Sequence, residues 1–114
     1  MYEGIRDVLV KMYGFDDLMK LDSYDMLYAE NELIIVHVIP PIKNDYHITS
    51  KWQVSFSTVA AFDKWWNSEA ICRYFDSEEE VVKYLVENQA NIYRELLAYL
   101  SKEYNNEFRE NEDN

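Results

Sequence analysis

The stretch SEEEVVKYLVENQANIYRELLAYLSKEYNNEFR, residues 77–109, decides how the rest of the chain folds. Ser77 followed by Glu80 three residues later is a capping box: the serine accepts from the first helical turn and the glutamate reaches back. Glu78, Glu79 and Glu80 also sit at the positive end of the helix dipole, where carboxylates are favoured. Val81, Val82, Leu85, Ile92, Leu96, Tyr99 and Leu100 recur at helical spacing as a broad apolar stripe. The spacing predicts one long acidic helix, or two end to end, because Glu87-Asn88-Gln89-Ala90-Asn91 interrupts the stripe. After Tyr104 the periodicity is lost, and residues 105–114 are expected to fray as an acidic tail.

A helix with one apolar side needs a surface to cover, and the preceding sequence supplies it. Leu33 to Ile39 is β-branched and apolar on both faces, which suits the centre of a sheet. Pro40-Pro41 ends it, since proline cannot donate to a ladder. Tyr24 to Ala29 reads as the strand before it, joined by a tight turn at Glu30-Asn31-Glu32. Lys51 to Thr58 alternates, with Trp52, Val54 and Phe56 on one face and Gln53, Ser55 and Ser57 on the other, the serine face expected to be wet. Ile71 to Phe75 is a short last strand. Val59 to Ala70 reads equally as a helical turn or as a wide connection.

Tyr2, Ile5, Val8, Leu9 and Met12 lie on one face of an opening helix, and Gly14 can take the left-handed conformation that ends it. Asp16 or Asp17 is then placed to cap a short helical turn carrying Leu18, Met19 and Leu21. Short connections favour antiparallel pairing. The expected fold is therefore a single α+β domain over residues 1–114: an N-terminal helix, a three- to four-stranded antiparallel sheet, and a long C-terminal helix packed on one sheet face.

The charge bounds the partners. The chain of 114 residues carries 22 acids against 11 bases, net −11. Residues 1–40 and 76–114 hold the excess, and residues 41–75 are nearly neutral. Such a chain repels phosphate backbones and anionic lipid, so neither nucleic acid nor membrane is an expected partner; a basic protein surface is. Acidity that serves solubility alone is the plainer alternative. One cysteine, Cys72, excludes an internal disulfide and fits a reducing compartment, with no signal peptide or membrane span visible, so a cytoplasmic location is expected.

No motif calls for a cofactor, a metal or catalysis. His37 and His47 are the only histidines, too few and too isolated for a zinc site. His37 reads as a satisfied strand residue and Cys72 as a small buried hydrophobe. His47, with Tyr46 and Trp52, is the one place where a pocket for a small enzyme or ligand-binding domain is conceivable. Trp65 and Trp66 form the densest aromatic cluster, and diverging by about 100° on a helix they leave one ring available to a partner. Glu80 and Glu87 are seven apart, as are Glu103 and Glu110, a rise of about 10.5 Å that matches every third phosphate of a strand.

These residues favour a non-enzymatic protein-binding module using Trp65, Trp66, Glu78, Glu79, Glu80 and Glu87. In size, charge and aromatic richness the chain is similar to small acidic inhibitors made by phages and mobile elements, the anti-restriction and anti-CRISPR proteins. That similarity implies a basic site on a nucleic-acid-handling host enzyme as the target, and host cytoplasm as the location. A self-associating accessory protein, a homodimer for instance, is the third reading.

Overall fold

The computed structural model describes residues 3–16, 18–21, 26–41, 50–59 and 70–112, with residues 19–21 and 103–112 described as backbone. Helix α1 (Glu3–Lys11) leads into five strands: β1 (Leu18–Leu21), β2 (Met26–Glu30), β3 (Ile34–Ile39), β4 (Trp52–Thr58) and β5 (Ile71–Phe75). Helices α2 (Glu78–Glu87) and α3 (Gln89–Glu112) complete the fold. The strands follow one another as an antiparallel meander in the order β1-β2-β3-β4-β5. The apolar run of β3 therefore lies at the centre, as its composition requires.

Cross-strand register sorts the sheet into two faces. Leu27 pairs with Val38, Ala29 with Val36, Val36 with Phe56, Val38 with Val54, and Phe56 with Ile71. These side chains form the helix-covered face and are almost fully buried. Ile5 and Leu9 of α1, Val81 and Leu85 of α2, and Ile92 and Leu96 of α3 close over them. α1 packs against α2, with Gly4 facing Val82 closely enough that an added Cβ would lie 3.3 Å from its methyl group.

The helix ends are made as their sequences dictate. Gly14 has φ 71°, the left-handed conformation, and the reversal lets the Phe15 N–H reach back to the Leu9 carbonyl at 3.1 Å. Ser77 caps α2, its Oγ accepting from the Glu80 N–H at 3.2 Å. Glu80 returns the bond to the Asp76 N–H at 2.7 Å, one residue before the position a capping box usually takes. Asp76 pairs in turn with Lys51. Between β2 and β3, Asn31 Oδ1 accepts from the N–H groups of Leu33 and Ile34, both at 2.9 Å.

Four expectations are corrected. Leu18–Leu21 is an edge strand paired with β2, so the sheet has five strands; no capped helical turn forms there. Four residues carry too little periodicity to choose, and pairing to a formed β2 satisfies their backbone. Ser55 and Ser57 are 2% and 3% exposed, so the serine face of β4 is not wet. Ser55 lies across from His37 and Cys72, and Ser57 across from Ile35, which is also buried. Cys72 is only half-buried. Finally, α3 continues to Glu112, past the point where apolar periodicity ends, because extending a nucleated helix costs little per residue.

Candidate protein-interaction surface

The helical layer does break near the Glu87–Asn91 interruption. Asn88 ends α2 with φ −112° and ψ 14°, its N–H still bonded to the Tyr84 carbonyl at 2.9 Å. The break is held from outside by the end of α1. The Tyr13 hydroxyl donates to the Leu85 carbonyl at 2.6 Å, taking up one of the last acceptors of α2. The Gln89 side-chain amide donates to the Met12 carbonyl at 2.6 Å and to the Tyr93 hydroxyl at 3.2 Å. Tyr13 also stacks on Phe15 and Phe56 and meets Tyr93 edge-on at 5.7 Å. Burial, then the neighbouring phenols of Tyr93 and Tyr84, push the Tyr13 hydroxyl well above the usual tyrosine range, so it stays a protonated donor.

Around this anchor the helices present apolar side chains to solvent. Val86 on α2 and Tyr93 and Leu97, four residues apart on α3, are exposed, Leu97 to 63%. Met12 joins them at the end of α1, through the Gln89 bridge. Each exposed residue of the α2–α3 stripe follows a buried one: Leu85 then Val86, Ile92 then Tyr93, Leu96 then Leu97. One residue is about 100° of helix, so the first of each pair enters the core and the second turns outward.

The acids are spread over the same layer. Glu3 and Asp7 are exposed on α1, and Glu79, Glu80 and Glu87 are exposed on the adjoining α2; Glu78 is half-buried. Packing of α1 on α2 thus brings the acids of the chain's two ends onto neighbouring helices. Trp65 and Trp66 lie outside the described residues, as do the Glu103 and Glu110 side chains.

The sheet face opposite the helices carries polar side chains. Tyr28, His37, Ser55 and Cys72 follow one another across four strands. The Tyr28 and His37 rings are 5.1 Å apart, and His37 is partly buried. Tyr28 donates to Glu30 at 2.8 Å, and Gln53 donates to Ser55 Oγ at 3.1 Å and to Cys72 Sγ at 3.5 Å. Tyr46 and His47 fall outside the described residues, and Trp52 is buried on the opposite, helix-covered face, paired across from Phe75. Among the described residues no three His, Cys, Asp or Glu side chains group to hold a metal ion, and no helix is long and apolar enough to cross a membrane.

A cleft of ≈ 270 Å³ opens on the other side of the Asn88 break, between β5 and the two C-terminal helices. Arg73, Tyr84, Asn88, Asn91, Arg94 and Glu95 line it, with Ile92 behind them. Arg73 donates to the Cys72 carbonyl at 3.0 Å and to Glu95 at 3.3 Å. Arg94 donates to Asn91 Oδ1 at 3.5 Å. The Tyr84 ring packs on Phe75 at 4.9 Å, and its phenol is raised above the ordinary value, chiefly by burial. Sequence reasoning did not single out this cleft, because Arg73 and Arg94 meet only through the packing of α3 beside β5.

No protein-family model, curated protein or solved structure matches the chain.

Proposed function

We propose that this protein is a non-enzymatic, acidic protein-binding module whose helical layer docks on a basic surface of a larger protein. The exposed apolar stripe of Val86, Tyr93 and Leu97, continued by Met12, is the observation that carries this reading. Large apolar side chains held out of a core at helical spacing are the usual centre of an interface, and a rigid tyrosine is among its best anchors. Tyr93 is pre-oriented by Gln89 and Tyr13, so it loses little freedom on binding. The exposed acids of α1 and α2 belong to the same helical layer, and with a net charge of −11 they favour a basic partner and steer its approach.

The basic surface most in need of such an occupant is one built to hold a phosphate backbone. A nucleic-acid-handling enzyme is accordingly the partner class we assign, with inhibition by occupancy as the consequence. Inhibitors of the phage or mobile-element kind are the biological setting in which that chemistry is useful.

The test is capture of a partner by the wild-type protein beside two variants, Val86→Ser/Leu97→Ser and Glu79→Gln/Glu87→Gln. All the altered side chains are exposed, so both variants should fold as the parent does. The expected result is a partner held at low salt, released at high salt, and lost with the serine variant. Retention by the serine variant at wild-type strength, or no partner at low salt, refutes the proposal.

A further inference from the structure

We infer that the cleft between β5 and the α2–α3 break is a binding site for a small organic oxyanion, a phosphate or carboxylate head with a short apolar body. In a chain with twice as many acids as bases, 22 to 11, the walls of this cleft carry two arginines and one carboxylate. Arg94 lines the cleft from α3, and among the described residues its one hydrogen bond is the long one to Asn91. Arg73 faces it from the strand, its own partner Glu95 held through one nitrogen at 3.3 Å. Both members of that pair are about half exposed, which places it among the weak, displaceable ion pairs.

Two guanidinium groups converging on one concavity suit a planar or tetrahedral oxyanion, which each can engage in forked hydrogen bonds. The side-chain amides of Asn88 and Asn91 and the neutral phenol of Tyr84 add hydrogen-bonding groups to the same walls. Ile92 and the Tyr84 ring supply an apolar wall. The volume is near the lower end for ligand pockets and suits a head group with a small ring or chain.

Amide-resolved NMR titration of the full chain at fixed ionic strength tests this, with phenyl phosphate and benzoate as probes. The expected result is a saturable shift confined to residues 73, 84, 88, 91, 92, 94 and 95. Saturation by phenyl phosphate alone assigns a phosphate head; saturation by both probes assigns a general oxyanion site. Arg94→Gln should weaken binding about tenfold, the loss of one charge-assisted contact. Glu95→Gln should strengthen it severalfold by releasing Arg73, whereas Glu87→Gln, the same charge change on α2 outside the cleft lining, should alter it less than twofold. No saturable shift with either probe, an unchanged affinity for Arg94→Gln, or equal gains for Glu87→Gln and Glu95→Gln would overturn the assignment.

Discussion

The Tyr13 hydroxyl is one atom on which both surfaces of the helical layer depend, and Tyr13→Phe removes it alone. The ring keeps its contacts with Phe15, Phe56 and Tyr93, so packing is conserved. What is lost is a buried 2.6 Å bond to the Leu85 carbonyl at the end of α2. Leaving a buried acceptor without its donor costs about 1 to 3 kcal/mol. At this chain length each kcal/mol moves the melting midpoint by roughly 4 °C, so the variant should melt about 4 to 12 °C lower in circular dichroism scans. The alkaline limb gives an independent check. The folded-state pKa of Tyr13 lies above the unfolded value of about 10, so its contribution is intact below pH 10 and is lost as pH rises beyond it. There the unfolded chain releases the proton while the folded chain retains it, a slope of about 1.4 kcal/mol per pH unit. Tyr84 acts in the same direction, so Tyr13→Phe should leave an alkaline decline shallower by one proton. A variant with the wild-type midpoint and the wild-type alkaline slope would refute the view that this hydroxyl holds the break.

Urea denaturation should separate structural acids from free ones. Ser77→Ala removes the α2 cap and should cost about 1 kcal/mol. Glu80→Ala loses the bond to the Asp76 N–H and should cost about 0.5 to 1.5 kcal/mol, whereas Glu79→Ala should stay within about 0.5 kcal/mol of wild type. Gly14→Ala meets no atom within 4 Å, yet at φ 71° an alanine is strained by about 1 to 2 kcal/mol, measurable as a lower melting midpoint.

The central strand was legible because its residues leave no alternative: Ile34 to Ile39 is apolar on both faces, and only a sheet interior accepts that. The α2 cap was legible because Ser77 and Glu80 act over three residues, a distance sequence reading covers. β1 was not, since Leu18-Met19-Lys20-Leu21 becomes a strand by pairing with β2, a partner outside the segment. Alternation in β4 named the faces correctly and their exposure wrongly, because alternation says which side chains share a face and nothing of what lies over it. At the candidate interface a signal was present in the adjacent apolar pairs Leu85-Val86, Ile92-Tyr93 and Leu96-Leu97, which hold more apolar residues than one buried face can use. The cleft left no such trace: its two arginines are separated by a whole helix and converge only in the fold.

The placement of the carboxylates changes which half of the interface hypothesis is worth attacking first. Glu80 turns back to the Asp76 N–H, so its spacing of seven from Glu87 does not translate into two free carboxylates aimed at one partner. Glu95 is shared with Arg73. The acids that remain uncommitted supply long-range field more than fixed contacts, and a field is screened over about 8 Å at physiological ionic strength. Removing one such acid changes an association rate modestly. Leu97, in contrast, owes its exposed position to no structural requirement of the core, since Leu96 already fills that place. A polar residue at 97 should therefore leave stability within about 0.5 kcal/mol and act on the bound state alone. An acid-only mechanism predicts the reverse ordering, with Glu79→Gln/Glu87→Gln more damaging than Leu97→Ser, so comparing the two dissociation rates decides between them.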